Sequence, residues 1–277
     1  MTLAPSGHTA CGDPTAMRVL SVDPKPFHWL RYLNAAPGGR GVERARLPFY
    51  RATLDALPDG CDAVVFASDL QGRVEPSRYG EEERLLGEAV ASELEALADD
   101  RVIPRTSDCG VILAGDLYSV PGAKKRGGFG EVFAVYEAFA SVFAWVVGVA
   151  GNHDDVRNVG AVATLLDGDV VSAGGVRIGG VGYVAGNKNK PGKRDEDEQL
   201  LRLELVLDEG VDVLVLHEGP EHAPMFEGSP AIRERILGAR TPLTVFGHTG
   251  WSAPLVELSH GVTGLNVHER VVVGTVL

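Results

Sequence analysis

Six short apolar runs punctuate the chain, each ending in a small or polar residue: MRVLSV (17–22), DAVVFAS (62–68), GVILAG (110–115), AWVVGVAG (144–151), VDVLVLH (211–217) and PLTVFGH (242–248). They are rich in β-branched residues and continuous rather than alternating, the pattern of strands buried on both faces of a sheet. Helix-like stretches lie between them, over 44–57, 81–98, 130–143, 195–207 and 231–237. In the second of these, Leu85, Leu86, Ala89, Leu94 and Leu97 form an apolar stripe, with acids opposite. Strand–helix alternation of this kind predicts an α/β fold. Near the C-terminus the helices stop. APLVELS, GVTGLNV and RVVVGTVL, within 253–277, are close-spaced strands and predict a terminal β-meander. With no internal repeat and no convincing linker, a single domain over 17–277 is expected, its first part (17–60) an extension packed on the rest. Two long polar segments, PGAKKRGGFG (121–130) and GNKNKPGKRDEDE (186–198), read as mobile surface or as the rim of a site.

Composition narrows this little: 44% apolar and 23% charged residues over 277 positions are ordinary for a globular protein. Charge says more. A net −12 disfavours long nucleic acid and anionic membranes as partners. Cys11, Cys61 and Cys109 are odd in number and widely spaced, against a disulfide framework and in favour of a reducing, cytoplasmic setting. Residues 1–16 lack a basic start followed by an apolar core, so a disordered lead is expected there rather than a secretory signal, with Met17 an alternative start. The longest apolar run, Phe133 to Ala150, is broken by Glu137, Ser141 and Gly148.

The polar residues that close the strands carry the chemistry. They are Asp69 and Gln71 in FASDLQGR, Asp116 in AGDLYS, Asn152 and His153 in AGNHDD, His217 in LHEGP and His248 in FGHTGW. Strand ends along one sheet edge converge, and α/β folds place ligands there. Carboxylate, carboxamide and imidazole together suit manganese, iron or zinc. Singly, each residue has a plainer reading: an Asp after a strand is commonly a turn or helix-cap residue. The GNHDD turn is more specific, because Gly, Asn and Asp alone would make it without the histidine.

The order of these pieces resembles the calcineurin-like metallophosphoesterase superfamily, whose motifs run DxH, GD, GNH(D/E), H and GHxH. Here they stand as DLQ (69–71), GD (115–116), GNHD (151–154), His217 and GHTG (247–250). The resemblance extends from about residue 62 to the C-terminus. It implies a four-layer α/β/β/α sandwich with a two-metal site at its edge. Asp116, Asn152, His217 and His248 would hold one metal. Asp69 and the bridging Asp116 would hold the other, together with the histidine of DxH and the last of GHxH. Those two positions are Gln71 and Gly250, so both departures strike the same metal. His153 matches the residue that contacts the substrate phosphate and protonates the leaving group, with Asn152 beside it at the substrate.

The function expected is metal-dependent hydrolysis of a phosphate mono- or diester by metal-activated water, at an altered two-metal or mononuclear site. The alternative is a catalytically weak module that binds a phosphorylated ligand. One or two divalent ions are expected. The oxygen-rich first shell, with Gln71 as an amide ligand, favours manganese among manganese, iron and zinc. A nucleotide is among the candidate substrates. Tyr118 is set aside as a replacement ligand because it stands two residues beyond Asp116 rather than three, and Glu75 and Glu218 are minor candidates. Trp251 is read as packing rather than as a stacking platform. GVGYVA (180–185) fits a dinucleotide fingerprint, but the sequence after it cannot open a helix, so a strand and turn is expected. Lys188, Lys190, Lys193 and Arg194 read as a solvated mixed-charge loop, with substrate steering as the alternative. His8, His28, His222, His260 and His268 are given no role at the site.

Overall fold

The computed structural model describes residues 17–36, 41–75, 82–125, 127–239 and 241–277. The expected lead over 1–16 lies outside them. The first half contributes strands β1 (Val19–Val22), β2 (His28–Ala35), β3 (Val42–Leu54), β4 (Ala63–Ser68), β5 (Cys109–Leu113) and β6 (Trp145–Gly148). The second half adds β7 (Asp169–Ala173), β8 (Val176–Val181), β9 (Val213–Glu218), β10 (Leu243–Gly247), β11 (Leu255–Ser259), β12 (Val262–Asn266) and β13 (Arg270–Thr275). Four helices complete the frame: α1 (Leu86–Asp99), α2 (Phe133–Ala140), α3 (Glu196–Asp208) and α4 (Pro230–Ala239).

Two sheets result. The first runs β6–β5–β4–β13–β3–β2, with two-residue strands at both edges and β1 paired on β3. The second runs β7–β8–β9–β10–β12–β11. Neighbours β4, β5 and β6 are parallel, as are β8, β9, β10 and β12. Successive strand residues point to opposite faces, and here both faces are covered. Val65 and Val111 meet Leu86, Val90 and Leu94 of α1 and Tyr136 and Phe139 of α2. Val64, Phe66 and Ile112 meet Ile178, Val215 and Val245 across the gap between the sheets. Leu214, Leu216 and Phe246, on the far side of the second sheet, meet Leu203 and Val206 of α3 and Ile232 and Ile236 of α4. Three apolar layers therefore separate four layers of structure, helix–sheet–sheet–helix. That double burial is why the strands read as unbroken apolar runs.

Two expectations need comment. The helix expected over 44–57 is instead β3, paired with β2 from His28↔Phe49 to Ala35↔Val42 and with β13 on its other side. Pro48 in its middle forbids a helix, and the buried Leu47 and Phe49 follow the two-residue period of a strand. At the C-terminus the strands follow without helices, as expected. The first two form the β11–β12 hairpin, whereas β13 crosses to the first sheet between β4 and β3. The crossing, Val267 to Glu269, thus passes the end of β4, where a bridge joins Ser68 to His268. As expected, no helix follows GVGYVA: β8 runs into a two-residue strand at 184–185.

Candidate metal centre

The site is assembled from loops that leave the C-terminal ends of β4, β5, β6, β9 and β10. Asp69 (φ 55°) and His248 (φ 65°), directly after their strands, and Asp116 (φ 55°), three residues past the end of β5, all adopt left-handed backbone. Such conformations are costly for non-glycine residues and cluster where a side chain must be aimed. The loops also press on one another. A Cβ on Gly151 would lie 2.0 Å from the Asp116 nitrogen, and one on Gly247 would lie 2.0 Å from Ser68 Oγ. Asp154, fully buried, ties two loops together: its Oδ1 accepts from the Leu117 and Tyr118 amides at 2.8 and 3.1 Å, and its Oδ2 from the Gly151 amide at 2.8 Å. Burial, reinforced by the Asp116 charge, pushes its pKa up to about 6.

His217 is fully buried. Its Nδ1 stands 2.8 Å from the Ala114 carbonyl oxygen, which can only accept, so Nδ1 carries the hydrogen. In the neutral ring Nε2 then presents a lone pair. Facing it are two further acceptors, Asn152 Oδ1 at 3.1 Å and an oxygen of Asp116, Oδ1, at 3.4 Å. Three converging lone pairs require a positive charge among them. In the metal-free chain a proton on His217 supplies it. Burial opposes that proton, but the Asp116 carboxylate outweighs burial and raises the His217 pKa to about 10.

A divalent cation meets the same requirement, and the Ala114 carbonyl already holds the ring in the tautomer a metal needs. His248 joins the group: its ring centroid is 5.1 Å from that of His217, and one donor atom each of Asp116, His217 and His248 falls within 4.8 Å of the others. Burial and the His217 charge lower the His248 pKa to about 4, leaving it neutral and able to ligate. The donor set therefore fits a metal ion.

Beside this group stands Asp69. Its Oδ2 accepts from Ser68 Oγ at 2.7 Å and from the His248 amide at 2.9 Å. Burial would raise its pKa, but His268, His217 and Ser68 together bring it to about 2. Gln71 donates from Nε2 to Asp116 Oδ2 at 3.1 Å. The amide of His153 donates to Asp116 Oδ1 at 2.9 Å; its ring Nδ1 is hydrogen-bonded to the Gly128 carbonyl, and its Nε2 stands 3.9 Å from Asp116 Oδ2. The 121–130 loop is thus a wall of the site.

All seven residues read from the strand ends come together. One more does too. His268, given no role from sequence, places Nδ1 3.0 Å from Asp69 Oδ1. It shares the signal of the others, a histidine closing an apolar run (LNVH), which could have marked it. Other residues lie apart or in the scaffold. Glu75 pairs with Arg44 at the surface at 3.7 Å, and Glu218 accepts from the Ala185 amide at 2.7 Å. Trp251 is buried against Phe246 and Phe226. Arg194 departs from the solvated-loop reading: it is buried, paired with Asp167 at 2.9 Å and placed over the Tyr183 ring.

No family model matches the chain, and no curated protein matches it. Solved structures do. TT1561 of Thermus thermophilus superposes with a TM-score of 0.52 at 16% identity, over 78% of this chain and 100% of that one. The Thermus thermophilus sulfate thiohydrolase SoxB, solved with glycerol, gives a TM-score of 0.39 at 12% identity, over 77% of this chain and 53% of that one. The fold is of the metallophosphoesterase type. Among the described residues, no helix is long and apolar enough to cross a membrane.

Proposed function

We propose that the chain hydrolyses a phosphate mono- or diester with the help of one or two divalent cations, manganese favoured. The observation that carries this is the meeting of His217 Nε2, Asn152 Oδ1 and Asp116 Oδ1 at 3.1–3.4 Å, a donor set that a cation can hold in place of the His217 proton. Bound divalent ions would polarise the phosphoryl group and acidify a water. The chain's own residues do the rest. Asp116, Asn152, His217 and His248 hold one ion, with Asp69 and Gln71 towards a second. His153, fixed through its Nδ1 by the Gly128 carbonyl, presents Nε2 to the leaving-group oxygen and delivers a proton there. Asn152 sits beside it at the substrate phosphate.

A nucleotide suits the surroundings. Next to His268 opens a groove of about 580 Å³ whose lining includes Trp29, Tyr50, Arg46 and Arg270, rings for a base and cations for phosphate. Trp29, Arg46 and Tyr50 belong to the 17–60 segment, which we read as an extension packed on one domain spanning 17–277. We place the protein in the cytoplasm.

The test is turnover of a phosphoester panel by protein loaded with Mn²⁺, comparing wild type with His153→Ala. A fall of roughly 10²–10⁴-fold with unchanged metal content is expected from losing a positioned acid. Unchanged turnover would remove His153 from the chemistry. Binding of a phosphorylated ligand without any turnover would make the protein a binding module.

A further inference from the structure

His268 is the site's unassigned histidine. Its Nδ1 is buried and pairs with Asp69 Oδ1 at 3.0 Å. Asp69 Oδ2 is engaged by Ser68 and the His248 amide, so Oδ1 is the oxygen left over. Two donor atoms that share a cation at about 2.0–2.2 Å, at octahedral or tetrahedral angles, stand about 3.0–3.5 Å apart. The observed spacing falls in that range.

The second observation is steric. The resemblance lacks an imidazole at Gly250, and a Cβ built there would lie 2.9 Å from His268 Cδ2. The ring of His268 therefore fills space that a side chain at 250 would need. Its backbone is held there by the bridge to Ser68, one residue before Asp69.

We propose that His268 is a metal ligand, completing with Asp69, Asp116 and Gln71 a second divalent-cation position beside the one held by Asn152, His217 and His248. This rests on the metal reading above and deepens it. The centre is dinuclear, with an imidazole moved in the sequence but kept in place. The rival is a plain ion pair, in which His268 takes the place of the cation and only one ion binds.

The experiment is Mn²⁺ binding to chelator-stripped protein, by calorimetry and elemental analysis, with electron paramagnetic resonance to detect a coupled manganese pair. Wild type, His268→Ala, His268→Gln and the double variant His268→Ala/Gly250→His are compared after thermal melts establish which are folded. Two ions and a coupled signal are expected for wild type. In both single variants the second ion should weaken at least tenfold and the coupling vanish, while the first ion stays. The double variant should regain both, because residue 250 then supplies the imidazole, a rescue that a merely structural role for His268 would not produce. One ion in wild type overturns the proposal, as do two in His268→Ala at unchanged affinity. No ion in wild type overturns the metal reading as a whole, which distinguishes the two failures.

Discussion

Gly151→Ala is the most direct test of how the loops build the site. The added Cβ would stand 2.0 Å from the Asp116 nitrogen, 2.2 Å from its Oδ1 and 2.6 Å from its Cα. Real Cβ contacts are essentially never below 3.0 Å, so one of the two backbones must yield by about 1 Å. Overpacking of this sort costs about 1–3 kcal/mol. Moving Asp116 also breaks its 2.9 Å bond from the His153 amide, and hydrogen bonds to a charged group contribute about 1.5–3 kcal/mol. A loss of about 2.5–6 kcal/mol follows, or a melting point lower by roughly 4–10 °C at this chain length. Mn²⁺ affinity should fall at least about tenfold if Asp116 is the shared ligand as proposed. Calorimetric melting of the metal-free protein and Mn²⁺ titration measure the two effects. Gly160→Ala is the control, since a Cβ there meets nothing within 4 Å. If Gly151→Ala melts within about 2 °C of wild type and binds Mn²⁺ equally well, the close approach is not what positions Asp116.

Four further outcomes are expected. Asn152→Ala should abolish the ion held with Asp116, His217 and His248, whereas Asp69→Ala should retain it, as read by elemental analysis after desalting. Mn²⁺ affinity should rise with pH from 7 towards about 10, with about one proton released per ion, because the cation displaces the proton that His217 holds up to about 10; calorimetry in buffers of different ionisation enthalpy counts that proton. The same raised pKa makes the imidazolium's contribution to metal-free stability full below the ordinary 6.5 and lost as pH climbs through about 10, so the metal-free melting point should drop on the alkaline side. Trp29→Ala, at the wall of the groove beside His268, should raise KM for a nucleoside phosphate roughly tenfold, the loss of about one stacking contact, and leave KM for a small phosphomonoester unchanged; equal effects on both would remove the base-stacking reading.

What could be read from the sequence was the part governed by local rules. Strands β4, β5, β6, β9 and β10 are visible because both their faces are buried, and a polar residue closing each one marks the sheet edge where the site lies. What could not be read depends on contacts between distant segments. The 44–57 stretch, expected as a helix, is a strand because it pairs with β2 and β13, and only Pro48 marks that locally. Arg194 sits in a run of charges that looks solvated, and its burial comes from Asp167 and Tyr183, partners that the sequence does not bring near it. His268 carries the local signal of a histidine closing an apolar run, but nothing local says which sheet edge it reaches. Its place at the site depends on β13 leaving the second sheet for the first, a crossing that no local pattern announces.

The glycines of this site explain how a ligand can change its position in the chain. Gly151 leaves room for Asp116, Gly247 for Ser68 and Asp69, Gly192 for Asn152 and Gly250 for His268. Asp69, Asp116, Asn152 and His268 each rest where a different loop lacks a side chain, so this space belongs to the packed strand ends rather than to any one motif. An imidazole lost at 250 opens room that a neighbouring loop can fill, provided that loop's backbone is already fixed. The bridge between Ser68 and His268 provides this. If His268 ligates as proposed, the paired departures at Gln71 and Gly250 do not by themselves argue for a decayed site.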